Sequence, residues 1–88
     1  MSIKNKSIFT TKFVIENRSE IIYVVHDKDD DWQLFSKEDA SEQDARIVSL
    51  GEILNIDPTI EEILWMPEGT EAWRDGIGKE WTTKVYSE

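Results

Sequence analysis

Apolar residues fall along this chain in short runs separated by polar segments. The most continuous run is Ile21-Ile22-Tyr23-Val24-Val25. It is β-branched or aromatic without a break, a composition that suits a pleated, half-buried surface. A shorter run of the same character, Trp32-Gln33-Leu34-Phe35, follows. Between them stand Asp27, Asp29, Asp30 and Asp31, residues that tolerate turn geometry and bond to their own backbone. The pattern predicts a hairpin over 21–35 in the middle of a small antiparallel sheet.

The flanking segments read around that hairpin. Residues 1–7 are polar and expected to fray. Ile8 to Ile15 is strand-like in composition, and Glu16-Asn17-Arg18-Ser19 breaks it as a turn. Ser36 to Asp44 is charged without an apolar face, which predicts a loop or one exposed helical turn. Arg46 to Leu50 reads as a strand ended by Gly51, and Glu52 to Ile56 as a helical turn. Asp57-Pro58 is the clearest helix start: Asp57 can accept from free N–H groups, and Pro58 loses nothing at the first helical position. Ile60, Ile63 and Leu64 then space a buried stripe, and Pro67 stops the helix. Met66 to Gly78 reads as loop, and Lys79 to Tyr86 as an alternating strand. The expected fold is a single α+β domain over 1–88, a small antiparallel sheet with one or two short helices packed on one face.

Composition narrows what such a domain can do. At 88 residues it buries roughly 60–65% of its unfolded surface, enough for one core and little more. Acidic residues number 19 against 10 basic, a net charge of −9. That argues against nucleic-acid binding, which needs clustered Lys and Arg. The acidity serves either solubility or a face offered to a basic partner, and charge alone does not choose. With no cysteine, disulfides, thiolate metal sites and a Cys nucleophile are excluded, which fits the cytoplasm. Lys4, Lys6 and Lys12 precede no apolar run of signal-peptide length, and no stretch approaches the roughly 18 apolar residues of a membrane span.

Candidate chemistry is sparse. His26 is the single histidine and adjoins Asp27, but no nucleophile motif accompanies the pair. It reads as a strand-end residue with a solvated ring. Asp27, Asp29, Asp31 and Glu38 copy the acidic positions of a twelve-residue calcium loop. Trp32, however, stands where that loop needs its glycine, so a solvated acidic turn is expected, with no metal or cofactor. Trp73-Arg74 has two readings: an exposed pair of the residue types enriched in binding hot spots, or a Trp capping the core beside an Arg paired with a carboxylate. Trp32, alternating with Leu34, belongs to the core.

Taken together, His26-Asp27, Asp31-Trp32-Gln33-x-Phe35, the run Asp44 to Ile53, Asp57-Pro58, Pro67-Glu68-Gly69 and Ala72-Trp73-Arg74 resemble a family of small bacterial domains. That family is assigned to the immunity proteins of polymorphic toxin systems. The resemblance covers about residues 21–81, and its most specific parts are the Trp32-Gln33 hairpin and Ser49-Leu50-Gly51-Glu52. Its pattern leads one to expect Gly in the hairpin turn, where this chain has Asp30. The resemblance implies an α+β fold, no enzymatic activity, and a protein partner, a toxin whose active site or substrate surface is covered. The acidic turn Asp29, Asp30, Asp31 and the pair Trp73-Arg74 are the expected contact residues. The competing reading is a housekeeping or adaptor domain with no toxin partner.

Overall fold

The central hairpin pairs Tyr23–His26 (β2) with Trp32–Phe35 (β3), in the register Tyr23 to Phe35, Val24 to Leu34, Val25 to Gln33 and His26 to Trp32. The computed structural model describes residues 3–85. These form four further strands, Ser7–Thr11 (β1), Ala45–Ser49 (β4), Thr70–Trp73 (β5) and Thr82–Val85 (β6), in one sheet of order β4-β1-β3-β2-β5-β6. The α+β class is as expected, but the sheet is mixed. β1 lies parallel to β3, because the chain leaves β1 through a helical turn, skips one strand position to reach β2, and returns β3 into the gap.

That helical turn, Lys12–Ile15 (α1), falls where composition predicts strand. Thr11 stays extended as its N-cap, and the turn presses Val14 and Ile15 against the core, Val14 with no exposed surface. Burial of two aliphatic side chains outweighs the β preference of Phe-Val-Ile, which is weak and depends on context. Gly51 likewise does not end a strand. The Ser49 hydroxyl accepts from the Glu52 N–H at 3.1 Å, so the helix Leu50–Ile56 (α2) opens two residues earlier than Glu52, at Leu50. Ser49-x-x-Glu52 has the spacing of a capping box, a signal present in the sequence. Asp57 caps the next element as expected, accepting from the Thr59 N–H, but Pro58–Ile63 winds as a 3-10 helix. Ala72-Trp73 lies in β5, not in loop. At the other end, residues expected to fray form a 3-10 turn, Ile3–Asn5, and Lys6 accepts from the Leu50 N–H through its carbonyl.

α1, α2 and the 3-10 helix all cover the same side of the sheet. Ile8, Val24, Leu34 and Ala72 from the strands meet Val14, Leu50, Ile53, Ile60 and Ile63 in one cluster. Fully burying an aliphatic side chain contributes roughly 1.5–3 kcal/mol, so this one layer is the main source of stability. Among the described residues, no helix contributes a core cluster to the opposite side of the sheet.

Candidate functional site

Side chains alternate across a strand, so the registers fix what the uncovered side displays. One row crosses all six strands: Ile47, Phe9, Gln33, Val25, Glu71 and Lys84. The adjacent row is Phe35, Tyr23, Trp73 and Thr82. Ile47 is 64% exposed, Phe9 38% and Trp73 37%. Tyr23 and Phe35 stack with centroids 6.1 Å apart. Val25 is buried by its neighbours yet stands apart from the main core cluster, as a residue on the far side of the sheet must. Polar groups on this face are tied down. The Tyr23 hydroxyl donates to Glu71 at 2.6 Å, and Lys84 pairs with Glu71 at 3.6 Å while lying 5.8 Å from the Trp73 ring centroid.

The acidic turn closes one end of the same face. Asp27 Oδ1 accepts from the N–H groups of Asp29 and Asp31 at 2.9 and 3.0 Å, and its Oδ2 accepts from the Gln33 amide at 3.1 Å. Burial would raise the Asp27 pKa, but these donors outweigh it and hold the carboxyl below its ordinary value. Asp30 takes the left-handed conformation, φ +65°, where glycine is expected. Its carboxylate is exposed but paired on both oxygens. Oδ1 lies 2.7 Å from His26 Nε2 and Oδ2 lies 2.9 Å from Lys6 Nζ, and these two donors lower its pKa.

His26 is therefore not solvated. The ring is 7% exposed, stacks on Trp32 at 4.0 Å, and approaches the Met66 carbonyl with Nδ1 at 2.8 Å. A carbonyl only accepts, so Nδ1 carries a proton, and the ring bridges β2, the turn and the 66–69 loop. The calcium-loop spacing is dispersed in the same way. Glu38 accepts from the Ser19 and Ser36 hydroxyls, which lower its pKa, and Asp27 is spent on its own turn. Among the described residues no three acidic or histidine side chains converge on a point that could hold a metal ion.

Trp73 and Arg74, adjacent in sequence, part company across the strand. Trp73 stands on the open face, whereas Arg74 is 4% exposed and points to the helix side. Its Nη2 meets Asp57 at 2.6 Å, its Nη1 donates to the Thr59 hydroxyl at 2.8 Å, its Nε donates to the Ile21 carbonyl at 3.0 Å, and the guanidinium lies 4.2 Å from the Trp81 ring centroid. Arg74 is thus a core ion pair withdrawn from any partner, and the expectation of a Trp73-Arg74 contact pair fails in its second member.

The sheet and both of its sides fall within one family match. The Imm33 immunity protein domain matches residues 8–85. The chain belongs to this family. No curated protein and no solved structure matches it.

Within this Imm33 domain, the match extends the resemblance of residues 21–81 outward to β1 and β6, the strands that widen the open face. Membership in an immunity-protein family implies a protein partner. No helix among the described residues is long and apolar enough to cross a membrane. Of the expected contact residues, the structure brings Asp31 and Trp73 onto the open face or its rim, leaves Asp29 and Asp30 exposed in the turn with Asp30 paired to His26 and Lys6, and buries Arg74. Sequence reasoning missed the exposed Phe9 and Ile47 and the half-buried Tyr23 and Phe35 as residues of one surface. The signal was the unbroken apolar run 21–25, since a strand apolar at every position has both faces apolar.

Proposed function

We propose that this protein binds and neutralises a protein toxin made by the same cell, acting in the cytoplasm and without catalysis of its own. The single observation that carries this reading is the open face, on which Ile47, Phe9, Phe35, Tyr23 and Trp73 expose apolar surface across a sheet that the helices leave uncovered. Contiguous exposed aromatics mark interaction sites, and buried aromatic anchors dominate binding energy. Asp31 and Asp29 stand at the rim beside this apolar centre, and the net charge of −9 favours a basic toxin. The toxin would lay its active site or substrate-binding surface over the aromatic rows, with complementary charge speeding encounter and the anchors slowing release.

The experiment is to look for a toxin-like reading frame beside this gene and to co-express its product with this protein, together with pull-down at low salt. Protection of the cells and recovery of a complex are expected. Equal killing with and without this protein, and no complex, would reject the reading. Protection that survives a combined Phe9→Ser and Trp73→Ala change would keep the function and move it off this face.

A further inference from the structure

A second aromatic surface lies on the other side of the β6 edge. The helices cover the inner side of the sheet as far as β5 but leave β6 bare, with all four of its residues exposed. Where that cover runs out, Glu62, Ile63 and Trp65 from the end of the 3-10 helix face Glu80, Trp81 and Thr83 across a groove of about 400 Å³. Trp65 is 66% exposed, more than any other aromatic side chain among the described residues. An indole so placed adds nothing to the core. The charged side chains lining the groove, Glu62 and Glu80, are both acidic and both exposed.

We propose that the Trp65–Trp81 groove binds an arginine side chain presented by a basic protein partner. Indole faces attract a cation through the ring quadrupole. A guanidinium can stack flat on such a face while its N–H fork meets a carboxylate, which an ammonium cannot do as well. The chain already uses this combination internally: Arg74 lies over the Trp81 ring and is held at its edge by Asp57. The groove supplies the same two elements to a visitor, an indole wall from Trp65 and carboxylates from Glu62 and Glu80. Thr82 pairs with Trp73 on the open face, next in sequence to both Trp81 and Thr83. A partner seated beside Trp73 therefore reaches the groove by passing around one exposed edge strand. The inference rests on the toxin reading only in naming a basic protein as the source of the arginine.

The test needs no toxin. N-acetyl-arginine amide is titrated into the full chain while the four indole N–H signals are followed by NMR. Saturable shifts are expected for Trp65 and Trp81 but not for Trp32 and Trp73. The neutral citrulline isostere should produce none. Glu62→Gln with Glu80→Gln should weaken binding about tenfold. Asp39→Asn with Glu42→Gln, which removes the same charge from an exposed remote loop, should leave it unchanged. No saturable shift, equal shifts with citrulline, or equal weakening by the remote pair would each overturn the groove. Arginine binding at Trp65 without any protection from toxin would support the groove and count against the toxin reading. Protection without arginine binding would do the reverse.

Discussion

Arg74 shows how one residue can look like a contact and serve as a keystone. Its charge is compensated by Asp57, Thr59, a backbone carbonyl and the Trp81 ring, all at short range. Removing one member of a buried pair strands the other, at a cost of about 3–5 kcal/mol. Arg74→Met and Asp57→Ala should each lower stability by that order in urea denaturation, and the double variant should lose less than their sum. Trp73 should behave oppositely. Because it stands on the open face, Trp73→Ala should change folding stability by no more than about 1 kcal/mol. It should weaken toxin binding by about 2 kcal/mol, roughly thirtyfold, in calorimetric titration. A Trp73→Ala variant destabilised by several kcal/mol that still binds, while folded, with unchanged affinity would assign Trp73 to structure. No sequence signal separates these neighbours except the parity of the strand that ends at Trp73, and that strand read as loop.

At the scale of elements, the 27–31 turn holds two carboxylates, Asp27 and Asp30, below their ordinary pKa. Asp27 is held down by its turn N–H groups against the effect of burial, and Asp30 by His26 and Lys6. Elsewhere Ser19 and Ser36 depress Glu38, and Ser41 and Lys12 depress Asp44. A carboxyl whose folded pKa is depressed contributes stability above its unfolded value and loses it as pH falls through the folded one. Thermal stability should therefore be full above about pH 5 and decline through the carboxylate range and below it. Melting curves across that range should show the slope flatten in Asp30→Asn, which removes one of the linked protons. A stability that stays level down to the lowest pH would show that the turn contacts do not hold in solution. Asp30→Gly would relieve the left-handed backbone but release His26 and Lys6, so it should not stabilise the turn despite its ideal φ.

For the whole molecule, the proposed function divides the work of binding between charge and apolar surface. A net charge of −9 acts over about a Debye length, roughly 10 Å at 0.1 M salt. The association rate with a basic toxin should thus fall as salt rises, while the dissociation rate, set by the aromatic face, should change little. Stopped-flow mixing over a salt series separates the two. A dissociation rate that rises as steeply as association falls would put the affinity in exposed charge pairs and count against the open face as anchor.

The hairpin, the acidic turn, the Asp57-Pro58 cap and the α+β class were legible in the chain, because each depends on residues close in sequence. β-Branched runs favour strands, aspartates favour turns, and a capping carboxylate bonds to N–H groups two residues on. The family was legible for a related reason: its pattern is a string of such local signatures, from Trp32-Gln33 to Ser49-Leu50-Gly51-Glu52. What only the tertiary structure decided is which side of each strand the helices cover. The apolar run 21–25 has no preferred face of its own, and burial in one layer of helices assigns Val24 to the core and Tyr23 to the surface. The same asymmetry turns Arg74 inward and Trp73 outward, folds Lys12–Ile15 into a helix against strand composition, and leaves Trp65 beside a bare edge strand. In each case hydrophobic burial across long sequence separations competes with a weak local preference, and burial carries more free energy.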